Sequence, residues 1–324
     1  MAMNEFELIE RHFKRTPRDP RIRIGVGDDA AIVMPAAGCE LAIAVDMLVE
    51  GRHFLPNVDP AALGHKTLAV NLSDMAAMGA TPRWALLAGA LPDNDERWVS
   101  AFARGLFALA ERFSVELIGG DTTRGPRNLC LTVIGELPVG SALTRSGACP
   151  GDDVYVSGTL GDAAFAVAAL GQGTDVAPDV LKVIRRTLEM PEPRVNLGER
   201  LRGVATAALD VSDGLVGDLG HILESSRVGA TVDLAAIPCS EELRRRMRAE
   251  GRTLAIEWVL AGGDDYELCF TAPPAMRDTL SDIARDIALP LTRIGTITAS
   301  TGLCVVDENG APLEILPQAF DHFA

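Results

Sequence analysis

Lysine is nearly absent from this 324-residue chain, occurring only at positions 14, 66 and 182 and never in a glycine-rich loop. No Gly-x-x-x-x-Gly-Lys-Ser/Thr segment exists, which excludes a P-loop nucleotide site. Histidine is also scarce, with five residues, and no serine–histidine–acid pattern stands out to serve a nucleophilic mechanism. The six cysteines (39, 130, 149, 239, 269 and 304) form no Cys-x-x-Cys pair. That spacing argues against a zinc site or a disulfide framework and for reduced, mostly buried thiols. No stretch offers ~18 uninterrupted apolar residues, so no membrane span is expected. The first ten residues carry acids where a signal peptide needs a basic and then an apolar segment. A cytoplasmic location is the expectation. Positive charge is short overall: 30 Lys and Arg face 45 Asp and Glu, a formal net charge of −15. Nucleic acid and anionic membranes are therefore disfavoured as partners, and a phosphate-bearing ligand would be repelled unless metal ions bridged the two.

Aspartate, by contrast, recurs in a pattern. Six separated stretches end an apolar run on aspartate beside glycine, serine or a second acid: Gly27-Asp28-Asp29, Val45-Asp46, Ser73-Asp74, Gly119-Gly120-Asp121, Asp210-Val211-Ser212-Asp213 and Gly262-Gly263-Asp264-Asp265. Carboxylates avoid the ends of buried strands unless something positive meets them. The chain has no lysine run or histidine cluster for that role. A shared set of divalent cations is the economical explanation, and oxygen-only ligands point to magnesium or manganese. A phosphate-handling enzyme is the class this implies.

The length suits two domains of ordinary size or one large one, and a hydrophobic content of 48% with 23% charged residues fits a globular protein with a filled core. Residues 4–15 place Phe6, Ile9 and Phe13 at helical spacing. Leu41–Val45 reads as a buried strand ending on Asp46. Residues 61–78 read as a helix rich in small residues (Ala69, Ser73, Ala76, Ala77), with Asn71 and Asp74 on one face. A strand over 84–91, a helix over 95–113, and strands over 115–118 and 129–136 complete an α/β first half. Residues 138–151 carry turn residues and read as a connection. A second αβ series follows: strands near 154–157, 207–211, 231–234, 268–271, 293–298 and 304–306, helices near 162–170 and 215–225, and a turn at 308–310. The expected architecture is thus a two-domain α/β (α+β) protein with residues 1–137 as first domain, 138–152 as linker and 153–324 as second domain.

Gly25-Val26-Gly27-Asp28-Asp29 superficially resembles a dinucleotide fingerprint, but acids stand where helix-terminal amides should meet pyrophosphate. In Gly119-Gly120-Asp121-Thr122-Thr123-Arg124, paired glycines let backbone amides approach phosphate oxygens while the aspartate holds an accompanying metal. Arg145 is a cation in a glycine-flanked segment suited to a bidentate phosphate contact. Asp210 and Ser212 fall on one side of an extended strand, with Asp213 opposite or already in the turn. Asp74, in the middle of a tightly packed helix, is costly unless paired, which suggests a ligand role. His53 is a lone histidine with either a substrate-contact or a structural role open to it.

Taken in order, these segments resemble the thiamine-monophosphate kinase family, of the superfamily that includes aminoimidazole ribonucleotide synthetase and selenophosphate synthetase. The resembling stretches are residues 25–31, 51–54, 68–80, 117–126, 143–148, 209–215, 262–270 and Phe-Asp-His-Phe at 320–323. They cover nearly the whole chain. The resemblance implies a fold like that of aminoimidazole ribonucleotide synthetase, with mixed sheets flanked by helices, a homodimer joined through the N-terminal domains, and ATP bound with several Mg2+ ions. It implies metal ligands at Asp29, Asp46, Asp74, Asp121, Asp210 and Asp213, of which Asp74, Asp121 and Asp210 are the expected catalytic positions. Nucleotide contacts fall on Gly120, Asp121, Arg145 and Ser212, and contacts to thiamine monophosphate on His53, Asp264 and Phe320. Two positions depart from the family pattern. Ala44 and Val45 stand where hydroxyl residues precede the aspartate at 46, and Asp264 stands where the family has glutamate. The implied activity is transfer of a phosphoryl group from ATP to thiamine monophosphate. The alternatives are a sibling ATP-using enzyme of the superfamily and a non-catalytic nucleotide or Mg2+ sensor.

Overall fold

A computed structural model describes residues 5–171, 174, 176–248, 253–318 and 320. The chain divides into two compact units, Met1–Met75 with Ala80–Gly140, and Ala76–Gly79 with Ser141–Ala324.

The first unit contains α1 (Glu5–His12), the short strands β1 (Ile22–Ile24) and β2 (Ile32–Val33), then β3 (Cys39–Val49), all but the last two residues of α2 (Pro60–Ala77), β4 (Thr81–Leu91), α3 (Glu96–Phe113), β5 (Glu116–Arg124) and β6 (Asn128–Pro138). Local sequence explains the helices. Asp95 caps α3 by accepting the Arg97 N–H, and Val99, Phe102, Ala103, Leu106 and Ala110 form its buried stripe. α2 begins at Pro60, where a missing N–H costs nothing, and its small residues admit a close neighbour. A Cβ on Gly64 would lie 2.0 Å from the Phe102 carbonyl oxygen, and one on Gly105 would lie 1.8 Å from that of Ala61. The α2 and α3 backbones therefore touch directly.

The main sheet of this unit runs β3-β6-β4-β5, parallel only between β4 and β5. On one face Leu87, Leu91 and Leu129 meet Val99 and Phe102 of α3 around a mostly apolar cavity. On the other, β1 and β2 cover one end through Ile22 and Val33, against Trp84, Leu86 and Ile134. Here β3 departs from the sequence expectation in two ways. It runs well past Asp46, and it is not buried: Ile43, Val45 and Met47 are 64%, 58% and 52% exposed. Its apolar residues fall on both faces, so the pattern marked a buried strand while the fold leaves one face of this edge strand open.

The second unit contains β7 (Asp153–Ser157), α4 (Asp162–Gly171), α5 (Pro178–Glu189), α6 (Val195–Leu201), β8 (Ala207–Val211), α7 (Leu215–Ser226), β9 (Gly229–Asp233), α8 (Glu241–Met247), α9 (Thr253–Ala261), β10 (Glu267–Ala272), α10 (Arg277–Asp286), β11 (Leu291–Thr298) and β12 (Gly302–Val306). Its six-stranded sheet runs β12-β9-β11-β7-β10-β8, antiparallel except between β12 and β9. β7, β8 and β10 are buried along their whole length. Phe165 of α4 stacks on Trp258 of α9 at 5.1 Å, and Leu219 and Ile222 of α7 join the same core. β8 is an edge strand, and the irregular segment before β7 is fastened to it by the Ala208 N–H donating to the Thr144 carbonyl (2.9 Å). Mixed sheets flanked by helices in two units make this a two-domain α/β fold. Among the described residues no helix is long and apolar enough to cross a membrane.

Candidate functional site

In the first unit, Asp46, Asp74, Gly120 and Asp121 are mounted on β3, α2 and β5. Asp46 sits in the interior of β3, and its N–H donates to Oδ1 of Asn71 on α2 (3.2 Å). Asn71 is fully buried and its amide donates to the Thr67 carbonyl (3.1 Å), fixing its orientation. Asp74 follows one helical turn later, half-buried. Asn71 thus ties the aspartate of the strand to the helix that carries the next one. It was visible in the sequence only as a neighbour of Asp74 on one face.

His53 lies in the tight bend after β3. Its Nδ1 accepts the Val49 N–H (3.0 Å), so the neutral ring carries its proton on Nε2. Its carbonyl accepts from Nζ of Lys66 (3.2 Å), a buried lysine of α2 that sequence reasoning passed over. One of only three lysines, placed in the helix that also carries Asn71 and Asp74, was the available signal.

Gly120 and Asp121 lie within β5 rather than in a loop after it. Gly120 has φ +151°, and a Cβ there would lie 1.9 Å from the Leu87 carbonyl oxygen, so only glycine fits. Residues 119–122 are among those lining the apolar cavity beneath α3. In register, Asp46 pairs with Leu131, Leu131 with Leu87, and Leu87 with Gly120. Three strand spacings, about 14 Å along the sheet, therefore separate Asp46 from Gly120. Asp29 is exposed in the irregular stretch before β2, its N–H donating to Asp28 Oδ1 (2.9 Å). Among the described residues no group of three or more His, Cys, Asp or Glu side chains is arranged to hold one ion.

In the second unit the candidate residues gather around the end of β8. Asp210 is buried inside the strand, opposite Leu268. Ser212 and Asp213 lie beyond it in a bend, so Ser212 does not continue the strand alternation expected for it. Outward carbonyls of this bend hold two other segments. Val211 and Ser212 accept the N–H groups of Tyr266 and Asp264 (both 2.8 Å), and Asp213 accepts that of Phe320 (3.2 Å). Asp264 and Tyr266 both adopt positive φ, +70° and +51°, each costing about 1–2 kcal/mol for a residue with a side chain. This strained turn sends consecutive acids in opposite directions. Asp264 stays half-exposed with its Oδ1 accepting the Tyr266 hydroxyl (3.0 Å). Asp265 is buried and accepts the Gly161 N–H ahead of α4 (2.8 Å); burial pushes its carboxyl well above the usual range. Phe320 is 49% exposed. The remaining residues of its motif, Asp321, His322 and Phe323, lie outside the described residues. Arg145 is exposed in the segment fastened to β8, and its carbonyl accepts the Ser226 hydroxyl (3.3 Å).

Asp218 was missed altogether. Its carboxylate, buried in the first turn of α7, accepts the N–H groups of Ser212, Asp213 and Gly214. Burial first, then the neighbouring carboxylates of Asp210 and Asp213, push its pKa up to about 7 against the pull of those amides. The bend is thus a concentration of negative charge with hard oxygen donors, which suits a hard divalent cation.

Residues 27–137 match the family described as AIR synthase related protein, N-terminal domain, and residues 149–308 match its C-terminal domain. The chain is 47% identical over 329 residues to the thiamine-monophosphate kinase of Escherichia coli strain K12, covering 100% of this chain and 99% of that one. The crystal structure of thiamine-monophosphate kinase from Stenotrophomonas maltophilia K279a is also 47% identical, with a TM-score of 0.87 over 97% of this chain and 99% of that chain. This chain belongs to the thiamine-monophosphate kinase family. A further member of the family, AaThiL complexed with AMPPCP and TMP, is 30% identical, with a TM-score of 0.78 over 90% of this chain and 89% of that one. Membership makes the chain an enzyme of that kinase family.

Proposed function

We propose that this protein transfers the γ-phosphoryl group of ATP directly to the phosphate of thiamine monophosphate, giving thiamine diphosphate and ADP. The observation that carries the reading is the end-to-end match to the Escherichia coli kinase at 47% identity. The chemistry agrees with the residues. A phosphate monoester has its second pKa near ~6, so the acceptor is already a dianion at neutral pH and needs no strong base. An acceptor oxygen bonds to the γ-phosphorus as the bond to ADP breaks, and no proton has to leave. His53, with its Nδ1 occupied, offers an Nε2–H donor to a phosphate oxygen. Asp264 and the exposed ring of Phe320 suit the cationic rings of thiamine.

The difficulty of the reaction is repulsion between two polyanions, and bound Mg2+ supplies the neutralising charge. Asp29, Asp46, Asp74, Asp121, Asp210 and Asp213 would hold several such ions, with Asp74, Asp121 and Asp210 nearest the chemistry. Gly120, Asp121, Arg145 and Ser212 would contact ATP, the cavity beneath α3 being apolar enough for its base. In this reading residues 1–137 form the ATP- and metal-binding domain, 138–152 the linker and 153–324 the second domain. The exposed apolar side chains of β3 would be covered by a second copy of the chain, making a homodimer through the first domain, and the reaction would run in the cytoplasm.

The test is a reaction of the purified protein with ATP, Mg2+ and thiamine monophosphate, its products separated by chromatography. Thiamine diphosphate and ADP in equal amounts are expected. ATP consumption without thiamine diphosphate would point to another enzyme of the superfamily, and ATP binding without consumption to a sensor.

A further inference from the structure

The three residues after β8 turn the chain into α7 with their amides facing inward, and all three meet one atom. Oδ2 of Asp218 accepts from Ser212 (3.1 Å), Asp213 (3.1 Å) and Gly214 (3.0 Å). A single buried carboxylate oxygen with three backbone donors is a rigid fixture, because losing the acceptor leaves three inward donors unmet. The same bend uses its carbonyls in the outward direction, where Ser212 holds Asp264 and Asp213 holds Phe320.

We infer that Asp218 is a positioning residue for the phosphoryl transfer: by gripping the amides of residues 212–214 from within, it orients Asp213 directly and Asp264 and Phe320 through the carbonyls on the opposite side of the bend. It touches no substrate. The inference rests on the kinase reading, since Asp213, Asp264 and Phe320 take their roles from it. Its reach is unusual in that one carboxylate governs both a candidate metal ligand and the two thiamine contacts of this unit. A displacement near 1 Å at such positions costs on the order of a hundredfold in rate.

The test combines amide hydrogen exchange with kinetics and calorimetry on the full chain. In the wild type, the amides of 212, 213 and 214 should exchange slowly although they lie outside any helix or strand; fast exchange there overturns the inference without any variant. Asp218→Ala should lose that protection while the amides of β10 keep theirs. Its KM for thiamine monophosphate should rise about tenfold or more, and kcat should fall by about a hundredfold. The Mg2+ concentration for half-maximal binding of a non-hydrolysable ATP analogue, read by calorimetry, should rise. Asp218→Asn keeps one acceptor oxygen and should recover most of the protection and most of the KM. A merely structural role would lower the melting temperature and the active fraction but leave KM and the Mg2+ midpoint of the folded protein where they were. That result, in either variant that folds, overturns the inference. A wild type that forms no thiamine diphosphate refutes the kinase reading instead, while the exchange and calorimetric arms still report on the clamp.

Discussion

Substituting Gly105 by alanine adds one methyl group where the structure has no room for it. The Cβ would lie 1.8 Å from the carbonyl oxygen of Ala61, whereas real Cβ contacts below 3.0 Å are essentially unknown. From 1.8 Å to 3.0 Å is 1.2 Å, so α2 and α3 must part by about that much. Nothing flexible stands between them, since the obstacle is backbone. Overpacking of this kind costs about 1–3 kcal/mol, partly offset by the gain of about 1 kcal/mol that alanine has over glycine within a helix. A net loss near 1 kcal/mol, and at most about 2, is expected, or roughly 2–4 °C in melting temperature for a unit of this size. Gly220 in α7 is the control, because a Cβ there meets nothing within 4 Å; Gly220→Ala should stabilise by about 0.5–1 kcal/mol. Calorimetric unfolding of both variants separates packing from helix propensity. Turnover provides the second readout. α2 carries Asn71 and Asp74, and a shift of about 1 Å takes Asn71 Oδ1 away from the Asp46 amide, so activity should fall on the order of a hundredfold even where Gly105→Ala is fully folded. A Gly105→Ala protein as stable and as active as the wild type would refute the direct backbone contact between the two helices.

Three further outcomes follow from the site and the ion pairs. Asp74→Asn should keep its melting temperature within the scatter of a mild substitution, about 0.5 kcal/mol, while turnover with ATP and thiamine monophosphate falls on the order of a hundredfold or more; full turnover would remove Asp74 from the metal site. Tyr266→Phe loses the hydroxyl that steadies Asp264, so KM for thiamine monophosphate should rise about threefold to tenfold with KM for ATP unchanged, as steady-state kinetics would show. Bonds from Arg277 and then Arg293 hold the buried Asp153 carboxylate below its ordinary range. Its folded pKa is thus lower than the unfolded value near ~3.9, so its stabilising contribution is present above that value and lost as pH falls through the lower one. Denaturant unfolding should show the wild type losing stability below about pH 4, with Asp153→Asn less stable at neutral pH and flatter over that acid range.

Much of the fold was legible because its strongest elements are locally self-consistent. α3 has a capping aspartate, an unbroken buried stripe and a left-handed exit at Ser114, and β8 is a short apolar run whose bounds agree with expectation. Of the elements passed over, α5 and α10 do carry such periodicity, burying Ile184 with Leu188 and Leu280 with Ile283, and were open to the same reading; others lack it. α8 is almost wholly charged, with only Leu243 buried, and α9 is apolar around most of its circumference, so neither shows a contrast between faces. β1 and β2 are too short to carry an alternation at all. The error at β3 has a different origin. Its residues are apolar on both sides, and sequence alternation cannot tell a strand enclosed by its own domain from one with a face left open.

The candidate site divides along the same physical line. Aspartates at 46, 74, 121, 210 and 213 stood out as candidates because an acid at the end of an apolar run breaks a local rule, and such breaks concentrate where function needs them. Asn71 and Asp218 break no rule in one dimension. An acid in the first turn of a helix is what the helix dipole favours on any surface, so Asp218 passes for an ordinary solvated residue until the fold turns three amides onto it. The strain at Asp264 and Tyr266 is likewise invisible in composition, since neither residue advertises a left-handed backbone. What sequence exposes is therefore the set of candidate groups that the proposed reaction would use, whereas the groups that hold them still obey local rules and become visible only through their partners. It follows that a relative retaining all six aspartates but lacking an acceptor at 218 would keep the family's motifs and lose their alignment.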